Sequence, residues 1–86
     1  MAEPDGVKSL RSPEHSRLIK LLIAARNKAG LTQQQLADRL GRPQSYVAKY
    51  EGGERRIDVV EFLGIARELD FDPARAVREI GAKYGR

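Results

Sequence analysis

The chain has 86 residues, enough for one small domain with a single hydrophobic core. It has no cysteine, one histidine (His15) and no apolar run near the ~20 residues of a membrane span or a signal-peptide core, which disfavours disulfides, metal clusters and membrane insertion and leads us to expect a cytoplasmic protein without a cofactor. The formal charge is +4 and its distribution is uneven: residues 1–30 hold six Lys/Arg against three Asp/Glu, residues 31–57 five against three, and residues 58–80 three against six, so the front half suits a polyanion.

Residues 1–11 are polar, aperiodic and marked by Gly and Pro, and are expected to form a mobile arm ahead of a folded domain at 12–84, with 85–86 as a tail. Ser12-Pro13-Glu14 opens the first helix with a hydroxyl cap, a proline at the first helical position and a carboxylate at the positive end of the dipole. Leu18, Leu22, Ala25 and Ala29, flanked by Ile19 and Ile23, form its apolar stripe, and Gly30 stops it. His15 reads as a surface residue of its first turn. Thr32 and Gln35 form a capping box for a short second helix with Leu36, Ala37 and Leu40 inside and Gly41 at its end.

A third helix then starts at Pro43, to within about a residue, and runs to about Glu51, ending at Gly52-Gly53. Asp58 with Glu61 caps a fourth, whose inner stripe is expected to be Val59, Phe62, Leu63, Ala66 and Leu69. Asp72-Pro73 begins a fifth, with Ala74, Val77, Ile80 and Tyr84 near helical spacing. No segment alternates as a strand would. The prediction is an all-α bundle of five helices.

A short helix, a tight glycine turn and a second short helix describe a helix-turn-helix. On the third helix Val47, Tyr50 and Glu51 share one face, while Ser45, Ala48, Lys49 and Gly52 follow the opposite one. An α-helix fits the major groove of B-DNA and reaches base edges with its N-terminal residues. There Gln44 can bond an adenine edge in bidentate fashion, Ser45 can donate or accept, and Ala48 permits close approach. Gln33, in the first turn of helix two, and the amides at the two helix starts suit phosphate oxygens. Arg42, Lys49, Arg55 and Arg56 supply cations around that face. Tyr46 either packs over helix two or lays its hydroxyl on a phosphate, whereas Tyr50 belongs to the core.

The stretch "RNKAGLTQQQLADRLGRPQSYVAKYEGGERR" resembles the lambda-repressor/Cro-type helix-turn-helix family, also called XRE. The likeness rests on Arg26, Gly30-Leu31-Thr32-Gln33, Leu36-Ala37, Gly41, Val47 and Glu51-x-Gly53, and it extends over about residues 14 to 74. Pro43 departs from the family's Ser or Thr, removing a side-chain cap, and Ile57 replaces a frequent proline. The resemblance implies a lambda-repressor-like fold with a phosphate contact at Gln33 and base-edge contacts from Gln44, Ser45 and Lys49. It also implies a backbone contact from the loop after helix three, and a partly buried Arg26–Glu51 pair that ties helix one to helix three.

The function expected is that of a sequence-specific double-stranded-DNA-binding transcriptional regulator, a dimeric repressor or controller at a palindromic operator, with helix five as the surface for a homodimer contact. The alternative is an antitoxin or adaptor acting through a protein partner. An enzyme is not expected: the glycines read as helix stops rather than a phosphate loop, and no carboxylate cluster sits in a plausible cleft.

Overall fold

The computed structural model describes residues 12–82; the expected arm at 1–11, Tyr84 and the tail at 85–86 lie outside them. Among the described residues there are five α-helices and no strand: α1 (Pro13–Lys28), α2 (Gln33–Leu40), α3 (Gln44–Glu51), α4 (Val59–Leu69) and α5 (Pro73–Ile80). None of these helices is long and apolar enough to cross a membrane.

Side-chain caps set most of the starts. Ser12 Oγ accepts from the His15 N–H at 3.0 Å, and Asp72 Oδ1 accepts from the Ala74 N–H at 3.0 Å. Thr32 with Gln35, and Asp58 with Glu61, close reciprocal capping boxes, each satisfying two donors that the helix itself leaves unpaired. α2 packs on α3 and α4, α1 on α3 and α5, and α4 on α5. Leu22, Leu36, Val47, Tyr50 and Ile65 are fully buried, so α1 to α4 all contribute to one core.

Two apolar stripes turn out differently from their spacing. In α4 the buried positions are Phe62, Ile65, Ala66 and Leu69, while Val59 is 73% exposed and Leu63 is also exposed. The helix is rotated so that Ile65 replaces Leu63 against the core. In α5 only Ala76 is buried; Ala74 and Val77 are exposed and Ile80 is half-buried. Ala74, Val77 and Ile80 border an apolar groove of about 550 Å³ between α1, α4 and α5, whose walls include Leu18, Ile57, Phe62 and Leu63. Ile57 is partly buried against the core there, an apolar anchor for the loop before α4.

His15 also departs from its surface reading. It is half-buried, shares a recess with Arg56 and Ile57 of the loop before α4, and its Nε2 is enclosed without a hydrogen-bond partner among the described residues. Burial first, and the nearby Arg56 charge second, hold its pKa below the ordinary value of 6.5.

Candidate nucleic-acid interface

The site is built from α2, a tight turn and α3. Gly41 takes the left-handed conformation, with φ of 68°. In that geometry the Gly41 N–H reaches Asp38 O at 3.2 Å and the Arg42 N–H reaches Ala37 O at 3.0 Å, closing the last carbonyls of α2 in a Schellman turn. Pro43 is the N-cap of α3 rather than its first residue, in extended backbone at ψ 155°, and it makes no side-chain cap. Its carbonyl instead accepts the Tyr46 N–H at 2.9 Å, and the first-turn amides of Gln44 and Ser45 have no side-chain acceptor from the cap.

Helical spacing divides α3. Tyr46, Val47, Tyr50 and Glu51 are buried, whereas Ser45 and Lys49 are exposed and Gln44 and Ala48 are half-exposed. A row of small and hydrogen-bonding side chains therefore stands outward on a helix held firmly from behind.

A chain of polar contacts links that outward row to the core. Arg26 grips Glu51 with two parallel bonds, Nε to Oε2 at 2.7 Å and Nη2 to Oε1 at 2.9 Å, and donates Nη1 to Leu31 O at 2.9 Å. The side chains are only 14% and 4% exposed, so this is a desolvated bidentate pair. The Glu51 hydrogen bond is the main cause that raises the Arg26 pKa. Gln33 then donates Nε2 to Glu51 Oε1 at 2.9 Å, and Gln44 donates Nε2 to Gln33 Oε1 at 2.7 Å.

The order of donors is dictated from the buried end. A carboxylate only accepts, so Gln33 must turn its NH₂ group toward Glu51 and its carbonyl toward Gln44. Gln44 must in turn offer its own NH₂ group inward. That leaves Gln44 with Oε1 as an acceptor and one remaining N–H as a donor. Gln33, read from sequence as a phosphate ligand, thus has an internal role that its spacing did not indicate.

A second cluster lies beside α3. Arg42, from the turn, and Arg55, from the loop before α4, both place their guanidinium carbon over the Tyr46 ring, each 4.7 Å from its centroid. The Tyr46 ring is buried and meets Tyr50 edge-on at 5.5 Å. Glu61 pairs with Arg55 through both oxygens, at 3.0 and 3.2 Å, and lies 3.7 Å from Arg42. The Arg55 bond is the main cause that holds the Glu61 carboxyl below its usual range, while burial and then Glu61 push the Tyr46 phenol up. Arg56 is exposed, and its carbonyl accepts from Arg55 at 2.7 Å. Lys49 is exposed and makes no ion pair among the described residues. From the sequence Glu61 read as a cap alone; an acidic residue six places after Arg55 was the available signal.

The helix-turn-helix family model matches residues 22–75, from the middle of α1 into α5. An XRE-family like protein from Pseudomonas syringae pv. tomato str. DC3000 superposes with a TM-score of 0.80 at 41% sequence identity, over 93% of this chain and 98% of that one. The chain belongs to the XRE family of helix-turn-helix proteins. No curated protein matches it. As an XRE-family member it is a DNA-binding regulator with the lambda-repressor-like all-α fold. The helix-turn-helix of that family is α2 and α3 here, which gives the outward row on α3 its context.

Proposed function

We propose that this XRE-family protein is a sequence-specific transcriptional regulator that binds double-stranded DNA as a homodimer at a palindromic operator, where it acts as a repressor or controller in the cytoplasm. The observation that carries the reading is the Glu51–Gln33–Gln44 chain, which leaves Gln44 one acceptor and one donor. Adenine presents the complementary pair in the major groove, an N6 donor beside the N7 acceptor. Ser45 and Lys49 extend the base-reading row. Arg42, Arg55, Arg56 and the amides at the starts of α2 and α3 face the flanking phosphates, with the buried Tyr46 ring backing Arg42 and Arg55.

A single α3 reads one half-site, so useful affinity calls for two copies about 34 Å apart on the duplex. The dimer contact is assigned to α5 and the groove beside it, where Val77 is 57% exposed and apolar surface is continuous with Leu63 and Val59.

The test is selection from random-sequence duplexes followed by footprinting. The expected result is protection of an imperfect palindrome, loss of about 1–3 kcal/mol at one adenine-containing position in Gln44→Ala, and a steep fall of affinity with salt. Binding that is independent of both sequence and salt would overturn the reading.

A further inference from the structure

We infer that Glu61 is a positioning residue for DNA binding, holding Arg55 and Arg42 against the Tyr46 ring as preset phosphate ligands on the flank of α3. The inference rests on the DNA-binding reading above and deepens it.

Glu61 is anchored through the main chain. Its own N–H donates to Asp58 Oδ1 at 2.7 Å, and its Oε1 accepts from the Asp58 N–H at 2.9 Å. With its side chain 14% exposed, the carboxylate is a stationary acceptor at the first turn of α4. Arg55 docks on both of its oxygens, and its Nη1 also donates to Arg56 O, so the guanidinium plane is defined from two sides. Among the described residues, its Nε–H and one Nη2 hydrogen donate to nothing. Arg42 makes no side-chain hydrogen bond among the described residues; the Tyr46 ring and the 3.7 Å approach to Glu61 hold it.

Arg42, Arg55 and the adjoining exposed Arg56 outnumber the Glu61 and Asp58 carboxylates, so positive charge and unused donors remain on the turn and the loop that border α3. A phosphate oxygen matches that remainder in charge and geometry. Ordering a long arginine before contact lowers the entropy that binding must otherwise remove.

Simple electrostatics and positioning predict opposite signs. A carboxylate near DNA repels phosphate, so an unstructured role for Glu61 would make its neutralisation strengthen binding. Positioning makes the same change weaken it.

The test compares wild type and Glu61→Gln by fluorescence anisotropy. The probes are a duplex recovered by selection from a random library and a mixed-sequence duplex of the same length. Glutamine at this position retains the capping box, and thermal melting of each variant verifies the fold. We expect Glu61→Gln to weaken the selected duplex by about tenfold, and Arg55→Ala to cost about tenfold in wild type but under about threefold in the Glu61→Gln background, the signature of coupled residues. Arg55→Lys leaves the cap untouched and keeps the charge but cannot fork onto both oxygens, so it is expected to weaken binding as Glu61→Gln does.

Equal or tighter binding by Glu61→Gln, strictly additive losses, or an unaffected Arg55→Lys would each overturn the role. If wild type itself bound neither duplex, the DNA-binding reading would fall, and this role with it.

Discussion

The Arg26–Glu51 pair allows the cost of a buried charge to be separated from the cost of losing the pattern it imposes. Consider Arg26→Met, Glu51→Leu and the two together. Removing one member of a buried pair typically costs about 3–5 kcal/mol, because the partner is left desolvated and unpaired. Glu51, 4% exposed, would keep only the Gln33 donor after Arg26→Met; Arg26, 14% exposed, would keep its bond to Leu31 O after Glu51→Leu. Arg26→Met should therefore be the more damaging single change.

A domain of this size has a total stability of about 4–13 kcal/mol, so either single change removes a large share of it. Replacing both charges by apolar residues removes the orphan, and the double variant should lie within about 2 kcal/mol of wild type. Urea unfolding followed by far-ultraviolet circular dichroism measures this. With a slope of about 1–3 kcal/mol/M, the singles should lower the midpoint by at least about 1 M and the double should recover most of that shift. DNA binding should not recover, because without Glu51 nothing orients Gln33 and hence Gln44. A loss of under about 1 kcal/mol in Arg26→Met, or a double variant as unstable as the sum of the singles, would refute the reasoning.

Three further outcomes follow from single groups. Gly41→Ala should cost about 1–2 kcal/mol in a thermal melt, from left-handed backbone alone, since a methyl group there meets nothing within 4 Å. Tyr50→Phe should stabilise the fold by about 1 kcal/mol in the same urea assay, because the Tyr50 hydroxyl is buried without a partner among the described residues; destabilisation would reveal a partner. His15 has a lowered pKa in the folded state, so the unfolded chain binds the proton more readily and stability should fall as pH drops below about 6.5. As the only histidine, it should carry this dependence between pH 7 and about 5.5, above the range in which the lowered Glu61 carboxyl contributes, and His15→Gln should flatten it there.

The local grammar of the fold was legible because each signal is satisfied within a few residues. Thr32 with Gln35, Asp58 with Glu61, and Gly30 and Gly41 answer to backbone donors and acceptors one turn away. The division of α3 into a buried and an outward face was legible for the same reason, since Val47, Tyr50 and Glu51 follow helical spacing whatever packs behind them. The start of α3 was legible only to within a residue, because Pro43 is compatible with both the cap and the first helical position; its extended ψ places it at the cap.

Sequence alone therefore determined five helices, their caps and stops, and which short helix turns a polar face outward, because these depend on neighbours in the chain. Tertiary structure decided the rest. Periodicity shows that a stripe is apolar but not how far the helix is rotated, so it took packing to choose Ile65 over Leu63 and to leave the α5 stripe along a groove. The contacts that matter most to the site join residues 18, 11 and 25 positions apart, Gln33 to Glu51, Gln33 to Gln44 and Arg26 to Glu51. An amide side chain has two unlike ends, and which one faces outward is set by the acceptor-only carboxylate behind it. That choice exists only once α1, α2 and α3 are brought together.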